Sequence, residues 1–75
     1  RSRYRVRLIH RNVPGVMARV NSIFASSEAN VDAQILATMD EVGYVLTDIS
    51  AGLGREALEE LSHLPETVRL IATPL

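Results

Sequence analysis

The sequence predicts an α+β fold of four strands and two helices in the order β-α-β-β-α-β. Three observations carry that prediction. Four segments alternate apolar and polar residues with a period of two, two segments carry apolar residues at helical spacing, and the two middle strands are joined by a link short enough only for a hairpin.

Residues 3–10, RYRVRLIH, alternate without a break. Tyr4, Val6, Leu8 and His10 share one face and Arg3, Arg5, Arg7 and Ile9 the other, the pattern of a half-buried strand. The chain then turns through Arg11-Asn12-Val13-Pro14-Gly15. Pro14 is expected at the first helical position, where its fixed φ suits a helix and its missing N–H is not needed. Val16, Val20, Ile23, Phe24 and Ser27 fall on one face with Met17 beside them, which predicts a helix of about thirteen residues ending near Ser27-Glu28.

Residues 30–39, NVDAQILATM, return to period two, with Val31, Ala33, Ile35, Ala37 and Met39 against Asp32, Gln34, Leu36 and Thr38. Asp40-Glu41-Val42-Gly43 reads as a short polar turn and residues 43–50, GYVLTDIS, as the third strand, so the pair is a hairpin. Gly52 and Gly54 bracket the next break. Arg55–Leu64 sets Leu58, Leu61 and Leu64 against Glu56, Glu59 and Glu60, a second helix that Pro65 stops. Residues 67–73, TVRLIAT, supply the last strand. Two right-handed crossovers then place both helices on one face of a four-stranded antiparallel sheet, the ferredoxin-like arrangement, in spatial order 4-1-3-2 with residues 30–39 at an edge.

A chain of 75 residues makes one domain whose own core is marginal, so pairing with a second copy or with a parent chain is expected. The apolar fraction of 47% belongs to a folded chain rather than a disordered one. Without Cys there is neither a disulfide framework nor a thiolate metal site, and His10 and His63 stand without companion ligands. No run approaches the roughly 18 apolar residues of a membrane span. The sequence opens on Arg1 with no Met and no leader, which suggests a cytoplasmic module, the terminal one of a longer protein.

Net charge is −1, but all eight basic residues are Arg and five of them fall within the first eleven positions, while acids weight the second half. A period-two Arg row can meet phosphates. A solvated strand face, or an edge kept soluble by charge, explains it more simply, and nucleic acid is not an expected partner.

No catalytic constellation is present. Ser22, Ser26 and Ser27 lack a neighbouring base, no Lys is available for Schiff-base chemistry, and neither a GxGxxG nor a Walker-type loop occurs. The domain alone is not expected to be an enzyme or to carry a cofactor. What remains is residues 10–15, HRNVPG. A loop leading into a helix offers backbone N–H groups at a positive end, a natural place for a carboxylate. Asn12 can donate and accept at once, Gly15 lets a ligand approach the backbone, and His10 offers a donor or an acceptor. Taken singly, each of these residues also has a plain turn or helix-start reading.

HRNVPGVMARVNSIFASSEANVDAQ, followed by GYVLTDIS, resembles the ACT domain, a βαββαβ regulatory module that binds amino acids. The resemblance runs from about residue 4 to residue 73. Within the family, the HxNxPG turn, the NxIFA helix, NVDAQ and GYVxxDI look like the subgroup that closes the NAD-dependent first enzyme of serine synthesis. The resemblance implies that L-serine or another small amino acid binds at His10, Asn12, Pro14, Gly15 and Val16, with Asn30 supplied by a second copy. It also implies a homodimer joined through the edge strand 30–39, and NAD in the catalytic part of a parent enzyme rather than here. Val13 departs from the pattern, since Arg or Lys is commoner in this turn. An ACT domain from another amino-acid enzyme, such as L-serine dehydratase, stays open, as does a ligand-free dimerisation module. An RNA-binding domain of the same topology needs stacking aromatics, and Tyr4 and Tyr44 are too few.

Overall fold

The period-two segments form a four-stranded antiparallel sheet in the computed structural model, which describes residues 2–75. In chain order the elements are β1 (Tyr4–Arg11), α1 (Val16–Ser26), β2 (Asn30–Met39), β3 (Val42–Ala51), α2 (Arg55–Ser62) and β4 (Thr67–Pro74). The strands lie side by side as β2-β3-β1-β4, the expected order seen from the other edge, and every neighbouring pair is antiparallel. No helix among the described residues is long and apolar enough to cross a membrane.

The core gathers where the two helices cover the sheet. Val6 and Leu8 of β1, Val45 and Ile49 of β3, Val16, Val20 and Phe24 of α1, and Ala57 and Leu61 of α2 are all buried. Each large apolar side chain removed from water contributes about 1.5–3 kcal/mol, which is how so short a chain offsets its conformational entropy. On the uncovered face Arg5 meets its register partner Asp48 at 2.7 Å, a cross-strand ion pair between β1 and β3.

Two local details differ from the sequence expectation. Helix α1 starts at Val16, two residues later than Pro14 implied. Gly15 is its N-cap at φ 85°, ψ −5°, and this left-handed step has to come between the proline and the helix. Gly43 is not a turn residue. The hairpin closes through Asp40 and Glu41 alone, with Met39 paired to Val42, and Asp40 takes the positive φ of 53°. Helix α1 ends near Ser27-Glu28 as expected, in a Schellman motif: Ala29 N–H donates to Phe24 O at 3.0 Å and Glu28 N–H to Ala25 O at 3.1 Å, with Glu28 left-handed at φ 61°.

Strand β2 contributes nothing to the core, and all ten of its residues are exposed. Gln34 and Leu36 lie opposite buried Thr47 and Val45, so they share the helix side, while Ile35 and Ala37, opposite Leu46 and Tyr44, lie on the uncovered face. Gln34 Nε2 donates to Thr47 Oγ1 at 2.9 Å and to Asn21 Oδ1 at 3.0 Å, so the hydroxyl of buried Thr47 has a partner.

Candidate functional site

The alternation of β1 carries His10 to the helix side, across from Gly43, where it is 1% exposed. The ring packs against Gly43 so closely that a Cβ there would lie 2.2 Å from Cε1 and 2.6 Å from Nε2. Nδ1 is 2.9 Å from the Arg11 carbonyl oxygen. A carbonyl only accepts, so Nδ1 carries the proton and, in the neutral ring, Nε2 keeps a lone pair. Nε2 is buried and has no hydrogen-bond partner among the described residues. Buried polar atoms left unpaired are few in folded proteins, and each calls for an explanation.

The β1 ladder shifts register against β4 between Ile9 and His10, and after Arg11 the chain leaves the sheet. Asn12 is then stapled to the β2–β3 turn, its backbone N–H donating to Glu41 O at 2.9 Å and its Nδ2 to Asp40 O at 3.0 Å. The Val13 side chain turns inward and packs against the core. Helix α1 has no side-chain cap, and among the described residues no acceptor reaches the N–H of Gly15, Met17 or Ala18. Arg19 stands over Gly15 and pairs with Glu66, the residue just before β4.

Of the sequence candidates, His10, Asn12, Pro14 and Gly15 come together at one end of the sheet. Val16 is 4% exposed and its side chain belongs to the core, so only its backbone is at the site. Asn30 is elsewhere. It pairs with Ala51 at the far end of β2, ten residues or roughly 30 Å of strand away. Sequence reasoning missed Asp40 and Glu41, which wall a shallow cavity with Arg11, Asn12, Val13 and Val42. The strand order held the signal, since it puts the end of β1 and the β2–β3 turn at the same end of the sheet. Among the described residues, no three His, Asp or Glu side chains converge as metal ligands.

A βαββαβ sheet, with both helices on one face and polar groups gathered at one end, is the class of module defined here. The chain belongs to the ACT family: the model of the AHAS small subunit-like ACT domain matches residues 6–69. It is 37% identical over 68 residues to the D-3-phosphoglycerate dehydrogenase of Dictyostelium discoideum, covering 91% of this chain and 16% of that one. It is 41% identical over 63 residues to the D-3-phosphoglycerate dehydrogenase of Escherichia coli K12, covering 81% and 15%. The chain therefore spans 15–16% of the length of these curated relatives. The regulatory subunit of aspartate kinase from Thermus thermophilus, in its ligand-free form, superposes with a TM-score of 0.78 at 25% identity, covering 97% of this chain and 51% of that one.

Proposed function

We propose that this ACT domain senses a small amino acid, L-serine in the first place, as the feedback-regulatory domain of a D-3-phosphoglycerate dehydrogenase whose catalytic part lies outside these residues. The observation that carries the reading is His10 Nε2, a buried acceptor without a donor. The hydroxyl or ammonium of L-serine is the donor it lacks. The open N–H groups at the start of α1 suit the carboxylate, because donors and helix dipole point the same way there. Similarity to two dehydrogenases of serine synthesis supports the choice of ligand.

A second copy completes the site in this reading. If two β2 strands pair antiparallel about Ile35, Asn30 of one copy comes opposite Asp40 of the other, beside the Asn12 held on that turn. The result is a continuous sheet with two equivalent sites. A ligand bound there braces the pair, and ligand affinity and pairing are linked through one free energy.

NAD belongs, in this reading, to a catalytic domain joined to this one in a cytoplasmic enzyme.

Thermal shift and calorimetry with the twenty amino acids test the proposal on the wild type, Asn12→Ala and Asn30→Ala. L-serine stabilises the wild type selectively, and both variants lose the effect. A second reading, the regulatory module of another amino-acid enzyme, is favoured by the family model for the AHAS small subunit. Selective binding of an amino acid other than serine establishes it in place of the first. No response to any amino acid leaves a module that only dimerises.

A further inference from the structure

Asn30 does not hang free at the start of β2. Its Nδ2 lies 2.9 Å from Asp32 Oδ1 and 2.6 Å from Ser50 Oγ. Ser50 Oγ in turn donates to Asp32 Oδ1 at 3.1 Å, and Ser2 Oγ donates to Asp32 Oδ2 at 2.7 Å. The register shifts that flank Val31 bring Asp32 into this cluster by taking β2 out of its regular ladder with β3. An ionised carboxylate only accepts, so the carboxamide must turn its nitrogen toward Asp32, because the flipped amide would set two oxygens against each other. With its one hydrogen spent on Asp32, Ser50 is left to accept from Asn30, and the cluster is satisfied in only one sense. Asn30 Oδ1 is thereby turned away, and no donor among the described residues reaches it.

We infer that Asp32, with Ser50, is a positioning and specificity-determining residue that makes Asn30 present an acceptor, so that this half of the site takes the ammonium group of an α-amino acid. The inference rests on the shared amino-acid site proposed above, with the ligand carboxylate at the α1 start of one copy and its ammonium at Asn30 of the other, and adds the residues that orient the Asn30 amide. The carboxylate of Asp32 adds a negative charge behind that acceptor, which favours a cation over a neutral donor. The class selected is the α-amino acid, against its α-hydroxy or α-keto counterpart.

The test is isothermal titration of the wild type, Asp32→Ala, Asp32→Asn and Ser50→Ala with L-serine, with the other amino acids, and with glycerate, the α-hydroxy counterpart of serine. Thermal melts of the ligand-free variants run alongside to verify folding. Asp32→Ala is expected to weaken L-serine roughly 10- to 100-fold, the range of a lost charge-assisted contact, and to change glycerate by less than about 3-fold. Asp32→Asn, which keeps an acceptor for Asn30 but drops the charge, falls between the two. Equal losses for both ligands, or L-serine affinities equal in wild type and Asp32→Ala, overturn the inference and leave the shared site standing. Failure of every amino acid to bind the wild type removes both.

Discussion

His10 and Gly43 face each other across β1 and β3 with no space for a side chain at position 43 while the imidazole is in place. Gly43→Ala is therefore expected to lower stability by about 1–3 kcal/mol, as overpacking does. In a His10→Ala background the same substitution fills space rather than contesting it, and its cost falls well below about 1 kcal/mol. Urea denaturation of the four proteins closes the double-mutant cycle. Equal costs in both backgrounds would show that the ring steps aside without loss.

Gly52 and Glu28 meet where α1 hands over to β2. Gly52 sits at φ 85°, and a Cβ on it would lie 2.4 Å from the Glu28 carbonyl oxygen, which is backbone and cannot swing away. Glu28 itself holds a left-handed conformation that a side chain disfavours by about 1–2 kcal/mol. Glu28→Gly should raise the stability by about 0.5–1 kcal/mol, the gain being reduced by the freer unfolded chain. Gly52→Ala should lower it by several times that. Thermal melts of the two variants in parallel check both signs.

Asp48 governs an acid limb of stability. The hydrogen bond from Arg5 holds its carboxyl below the ordinary 3.8, opposed by burial and helped by the charges of Arg5 and Arg7. A carboxyl whose folded value is depressed stabilises the protein above its unfolded value and loses that contribution as pH falls through the folded one. The gap in urea midpoint between wild type and Asp48→Asn is thus largest above about pH 5 and closes toward pH 2. With 34% and 15% of the two side chains exposed, the gap is modest and shrinks in high salt. A gap that widens in acid would contradict the assignment.

The proposed pairing through β2 can be opposed without touching the fold of one copy. Ile35 is 61% exposed and lies at the centre of the strand. Ile35→Lys sets two ammonium groups against each other across the dyad, and like charges directly opposite on paired strands repel. Sedimentation should show a dimer constant weakened about 10-fold or more, with an unchanged melt for the dilute chain. The thermal response to L-serine should fall with it. A dimer unaffected by the substitution places the pairing surface somewhere other than β2.

Much of this was legible in order along the chain. The alternation Tyr4, Val6, Leu8, His10 fixed β1 and its inner face, and the spacing Val16, Val20, Phe24 fixed the buried stripe of α1. Both are local periodicities that burial enforces. The role of Gly43 was not legible, because it looked like a turn glycine until strand pairing set it under His10. Nor were Asp40 and Glu41, far in sequence from Asn12 yet brought to it by the strand order. Asp32 read only as one residue in the alternation of a regular strand. The register shifts near it, which no alternation pattern encodes, are what tie it to Asn30.

The sequence by itself determined the element order, the ACT family and a set of candidate site residues, since each follows from side-chain type and short-range spacing. The tertiary structure decided which of those residues meet. It gave His10 a buried, unpartnered nitrogen through the pairing of β1 with β3. It separated Asn30 from Asn12 by the length of a strand, and it turned the Asn30 amide through a carboxylate two residues away. Those are consequences of register and packing, and register is set between strands, not along one.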